Sequence, residues 1–126
     1  MRPAPRREPS RGDALRDIVV WGERLASHVA ATTREAFLED ARDQDAVCKC
    51  VEVIGEAARR LMAAEPGIEA RHPALALEQA YRTRNRLAHG YDTLDYALVW
   101  AAATESIPPM VEAARALLAA DDAGRP

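Results

Sequence analysis

Apolar residues recur at three- and four-residue intervals along most of this chain, and nothing alternates with period two over a useful length. That spacing gathers side chains on one face of an α-helix, not on one face of a strand. Leu15, Ile18, Val19, Gly22, Leu25 and Val29 form a first stripe, with Asp13 as its predicted N-cap. Thr32 and Glu35 have the spacing of a capping box and predict a short helix through Phe37 and Leu38. Asp40 or Asp43 then caps a long helix reaching about Met62, with Val47, Cys50, Val51, Ile54, Ala58 and Leu61 inward. Gly22 lies in the first stripe and Gly55 in the middle of the long helix. At both places a missing side chain favours close helix–helix approach.

Glu65-Pro66-Gly67 breaks the pattern, and a loop is expected up to Pro73. Pro73 suits the first turn of a third helix, running through Ala76, Ala80 and Leu87 to His89, with Gly90 as a left-handed C-cap. Asp92 and Asp95 put acid at the start of the last helix, whose Leu94, Leu98, Ala101 and Ile107 are expected to point inward. Pro108-Pro109 must kink or split that helix, because proline lacks the N–H that the helical ladder needs. Val111, Ala114, Leu117 and Leu118 carry the packing onward. The expected fold is all-α, an up-and-down helical bundle with its last helix kinked at Pro108-Pro109.

Residues 1–12 hold three prolines and four arginines and have no face to bury, so they read as a disordered basic tail. The helical domain is expected over 13–120, and 121–126 as a frayed end. At 126 residues the chain suffices for one core. Its hydrophobic share is 48% but its aromatic share only 5%, which suits closely packed helices rich in Ala, Leu and Val. The net charge of −3, despite a basic tail, excludes a generally basic nucleic-acid binder. Any contact with a nucleic acid must come from a local patch.

Cys48 and Cys50 are two apart, so on a helix they point to nearly opposite sides and cannot bridge each other. With no further cysteine and no nearby histidine, no zinc site and no other metal or cofactor is expected. Buried thiols, no apolar run long enough for a membrane span and no secretion signal point to the cytoplasm, away from the membrane.

The candidate chemistry is concentrated in Arg82-Thr83-Arg84-Asn85-Arg86-Leu87-Ala88-His89-Gly90-Tyr91. Arg82, Asn85 and His89 share one helix face, whereas Arg84 stands about 140° round from His89. The two can flank a groove that a partner surface completes. His89 ends a helix, where the dipole favours its protonated form while the arginines oppose it. His28, near the end of the first helix, reads as a surface or capping residue. His72 is held extended by Pro73. RNA cleavage without a metal needs a base, an acid and a cation at the phosphorane. One chain supplies a single suitable histidine, and a two-fold dimer supplies two.

Arg84-Asn85-x3-His89-x-Tyr91 resembles the Arg-x4-His-x-Tyr signature of HepT-like toxins, a branch of the HEPN superfamily of all-helical ribonucleases. A second block is also similar to that family: Gln44-Asp45-Ala46-Val47 followed by Val51-Glu52-Val53-Ile54-Gly55-Glu56-Ala57-Ala58. The resemblance implies a HEPN-like bundle and a homodimer with the motif at its interface. It implies a metal-independent endoribonuclease, the toxin of a type VII-like toxin–antitoxin system. Arg84 would bind the scissile phosphate, His89 act as general acid/base and Asn85 orient one of them. Arg82 and Arg86 would add RNA contacts. It further implies an MNT-type nucleotidyltransferase antitoxin that transfers AMP to Tyr91. Asp92 stands where many relatives carry an aromatic residue, and Arg71-His72-Pro73-Ala74 lacks the aromatic often found ahead of the motif helix. Glu56 is the carboxylate placed to reach that helix. The contrasting reading is a non-catalytic helical interaction module that docks on a nucleotidyltransferase.

Overall fold

The computed structural model describes residues 10–89 and 94–124, and every regular element among them is helical. Helix α1 spans Arg11–Ala30. It begins ahead of the expected Asp13 because the Ser10 hydroxyl accepts from the Asp13 N–H at 3.1 Å, which leaves Asp13 as acid in the first turn. The expected basic tail, as far as residue 9, lies outside the described residues.

The short helix α2, Arg34–Phe37, is capped by Thr33 and not by Thr32. Thr32 instead donates to Asp43 at 2.7 Å. Asp40 caps α3, Ala41–Ala64, by accepting from the N–H groups of Arg42 and Asp43. The expected loop after it contains one helical turn, α4, Ile68–Arg71. A 3₁₀ turn, Pro73–Leu75, comes next.

The third long helix does not run on from Pro73. Ala76 adopts the left-handed conformation at φ 44°, and α5 spans Leu77–Ala88. With no side-chain cap at Ala76, the Glu69 carboxylate from α4 accepts the Glu78 N–H at 2.9 Å. His89 is the C-cap residue, and the expected Gly90 cap lies outside the described residues.

Asp95 caps α6, Tyr96–Ala101. The disturbance expected at Pro108-Pro109 takes the form of a changed winding just before them. Ala102–Ser106 form a π-helical segment, in which the Ile107 N–H reaches back to the Ala102 carbonyl. Helix α7, Ile107–Ala123, then takes both prolines in its first turn, where no N–H is required of them. The end expected to fray remains helical to Ala123, and Arg11 grips Asp121 through two hydrogen bonds of 2.9 Å.

Helix α3 is central, lying between α1 and α5, while α7 packs on α1. Leu15, Ile18 and Leu25 meet Val47, Val51, Ile54 and Leu61 in a core closed by Leu77, Leu87, Ile107 and Met110. The predicted inward face of α3 is buried throughout. Leu98 departs from expectation: it is 53% exposed, because the six-residue α6 turns Val99 to the core instead. Phe37 is fully buried, its ring 6.0 Å from Tyr96 and 5.1 Å from Trp100, and so joins α2 to α6. Among the described residues no helix is long and apolar enough to cross a membrane.

Candidate functional site

The site rests on how α5 sits against α3. A Cβ at Gly55 would lie 2.3 Å from the Arg84 Cβ and 2.7 Å from the Ala80 carbonyl oxygen. Only glycine lets the two helices meet here, and the contact draws the Arg84 stem down onto α3. Next to it in sequence, Glu56 supplies the carboxylate that faces Arg84. The Arg84 Nε is 3.8 Å from Glu56 Oε2, and the side chains are 32% and 35% exposed.

Arg84 is loosely held. Its Nη1 donates to Asn85 Oδ1 at 3.2 Å, while its Nε is buried and makes no hydrogen bond among the described residues. Glu56 is committed elsewhere. Its Oε1 accepts from Arg59 Nε at 2.9 Å and Nη2 at 2.6 Å. The hydrogen bond from Arg59 and the positive charges of Arg59, Arg84 and Arg60 hold the Glu56 carboxyl below the ordinary glutamate range.

His89 and Arg86 are exposed and line a different space, a groove of about 540 Å³ between α5 and the α6–π segment. Leu94, Leu98 and Val99 provide apolar lining, and Gln79, Thr83, Asp95, Glu105 and Ser106 provide polar lining. Gln79 donates to Ser106 at 3.3 Å, and Thr83 to the Gln79 carbonyl at 3.0 Å. Arg84 is not among the lining residues. Within one chain, then, Arg84 and His89 belong to neighbouring but separate surfaces. Arg82 is exposed, with the Glu78 carboxylate 3.6 Å away. Tyr91 lies outside the described residues.

The other reactive groups stand apart. His28 is exposed at the end of α1, and His72 is half-buried at the entry to the 3₁₀ turn. Both cysteines are buried and free. Burial, with Asp45 and Glu52 nearby, pushes the Cys48 thiol up to about 11. No cluster of metal-binding side chains occurs among the described residues. Sequence reasoning marked Glu56 but missed Arg59, although their i,i+3 spacing on α3 is the signal for such a pair. It also missed the acidic groove wall, since Asp95 and Glu105 meet His89 only through the fold.

The fold and the site together define an all-α bundle that presents one cationic helix ending in an exposed histidine. The chain belongs to the ribonuclease HepT-like family, which it matches over residues 22–117. It is 30% identical over 101 residues to a probable ribonuclease HepT of Thermococcus cleftensis, covering 80% of this chain and 89% of that protein. It is also 29% identical over 94 residues to a candidate RNase of Methanocaldococcus jannaschii, covering 75% of this chain and 78% of that one. A second candidate RNase of the same organism is 29% identical over 94 residues, covering 75% of each chain. No solved structure matches the chain.

Proposed function

We propose that this chain is an endoribonuclease, the toxin of a toxin–antitoxin pair, that cuts single-stranded RNA without a metal. The observation that carries the reading is the placement of a part-exposed Arg84 and Asn85 and an exposed His89 along α5 in a ribonuclease HepT-like chain. Arg84 keeps donors free for a phosphate. His89 is open to solvent, within reach of a bound RNA. In the reaction, a base removes the 2′-hydroxyl proton and that oxygen attacks the adjacent phosphorus. An acid then protonates the departing 5′-oxygen, leaving a 2′,3′-cyclic phosphate. Arg84 binds the phosphate oxygens as charge grows on them, and Asn85 steadies Arg84. Arg82 and Arg86 extend the cationic surface along the RNA backbone.

Because Arg84 and His89 of one chain open onto separate surfaces, the working unit is a homodimer in which two α5 helices share a cleft. His89 of one copy then serves as base and that of the other as acid. Neutralisation would come from a nucleotidyltransferase antitoxin that adds AMP to Tyr91, two residues beyond His89, setting phosphate charge against Arg84. A cytoplasmic location suits such a pair. Exposed Leu98 beside the groove also favours the second reading, a helical module that docks on a partner without cutting RNA.

Growth of cells expressing variants separates these. Arg84→Ala and His89→Ala are each expected to relieve growth inhibition while the protein stays folded. Tyr91→Phe is expected to remain toxic and to escape a co-expressed antitoxin. Undiminished toxicity of His89→Ala would remove His89 from the chemistry. Full rescue of Tyr91→Phe by the antitoxin would mean that simple masking of the cleft neutralises it.

A further inference from the structure

We infer that Arg59 is a positioning residue: by occupying Glu56, it keeps that carboxylate from closing on Arg84 and so leaves the Arg84 guanidinium available for an RNA phosphate. The inference rests on the ribonuclease reading above for its consequence, though not for its geometry.

The arrangement is a carboxylate shared unequally between two arginines. Arg59 takes Glu56 Oε1 with two nitrogens, at 2.9 and 2.6 Å. Arg84 approaches Oε2 from α5 no closer than 3.8 Å, and its Nε, although buried, has no hydrogen bond. A buried guanidinium nitrogen beside a carboxylate would ordinarily complete that bond, because leaving it unmade is costly. The backbone does not prevent it, since the Arg84 stem already rests on Gly55, one residue from Glu56. Arg59 holds the other oxygen, Oε1, from one helical turn along α3, and so fixes how far the carboxylate can turn towards Arg84.

The chemical consequence is direct. A guanidinium neutralised by a carboxylate binds a phosphate poorly, because the two anions compete for the same donors. With Arg59 in place, Arg84 has, among the described residues, only the neutral Asn85 amide oxygen as a hydrogen-bond partner and stands 3.8 Å off the Glu56 carboxylate. The same arrangement accounts for the low Glu56 pKa, whose foremost cause is the hydrogen bond from Arg59. Glu56 therefore remains charged at neutral pH and, once released, would act as an internal competitor of the substrate.

The test uses the full-length protein and three variants: Arg59→Ala, Glu56→Gln, and the two combined. Each is assayed for cleavage of a single-stranded RNA oligonucleotide, and the Arg84 Nε–H resonance is followed by nitrogen–proton NMR. Arg59→Ala should raise KM by roughly tenfold, the order expected for one charge-assisted hydrogen bond diverted from a phosphate, with a smaller change in kcat. Its Arg84 Nε–H should move downfield as the bond to Glu56 closes. Adding Glu56→Gln should bring KM back towards the wild-type value and reverse the NMR shift. A merely structural Arg59 would not be rescued by Glu56→Gln. An unrescued double variant, or an Arg84 resonance unmoved by Arg59→Ala, overturns the inference. If the wild type cleaves nothing, the ribonuclease reading fails, and the NMR comparison still decides whether Arg59 holds Glu56 away from Arg84.

Discussion

At the scale of the residue, the site is governed by which partner each charge has. Glu56 is held ionised by Arg59 first, and by Arg84 and Arg60 through space. Its folded pKa lies below the unfolded value, so its contribution to stability is fully present above the unfolded pKa. It is lost as pH falls through the folded one. The melting temperatures of wild type and Glu56→Gln should therefore differ near neutrality and converge only as the pH falls below the ordinary glutamate range. The difference should be small, because the pair is substantially exposed. A gap that widens on acidification would contradict this account of Glu56. The residues themselves were legible in the sequence: Arg84, Asn85, His89 and Glu56 all stand out by type and spacing. Their partners were not. That Arg59 takes Glu56 depends on side-chain geometry, and that His89 shares a groove with Asp95 and Glu105 depends on how α6 folds back.

At the scale of the element, two glycines set helix distances, and they should fail differently when filled. A Cβ at Gly22 would lie 2.2 Å from Val111 Cγ2, a side-chain atom of α7. A Cβ at Gly55 would meet the backbone oxygen of Ala80 as well as the Arg84 stem. Each Gly→Ala change is expected to cost about 1–3 kcal/mol by overpacking. Trimming the obstruction with Val111→Ala should recover most of the loss at Gly22, since the two effects share one contact. The same Val111→Ala change should leave Gly55→Ala uncorrected. Urea midpoints for the singles and the doubles measure this, and additive losses at Gly22 and Val111 would contradict the packing described. Periodicity foretold these stripes, and with them the buried face of α3. It did not foretell the ends. Ser10 outcompetes Asp13 as a cap, a left-handed Ala76 divides Pro73 from α5, and the π-helical Ala102–Ser106 absorbs the prolines. Each is a local choice among similar capping or winding options that apolar spacing does not rank. Leu98 was misplaced for the same reason. Its stripe was drawn for one continuous helix, whereas the chain changes winding after Ala101.

At the scale of the whole molecule, the proposed shared cleft takes two copies of the chain. The bundle is closed around α3, and its core leaves Arg82, Arg86 and His89 of α5 exposed and Arg84 part-exposed. Arg84 and His89 look onto different surfaces, and exposed Leu98 lines the groove with His89. A two-fold contact would cover Leu98 and bring one chain's Arg84 towards the other's His89. Sedimentation at micromolar concentration is expected to give a dimer, weakened by Leu98→Asp because a charge would enter an apolar contact. A monomer that retains full activity would exclude the shared cleft.

The most direct test of the central claim is cleavage of single-stranded RNA by purified protein in the presence of EDTA, with His89→Ala alongside. The wild type should cut the RNA, leaving 2′,3′-cyclic phosphate ends, and a folded His89→Ala protein should not. An intact RNA with wild-type protein, or equal cutting by His89→Ala, would contradict that claim.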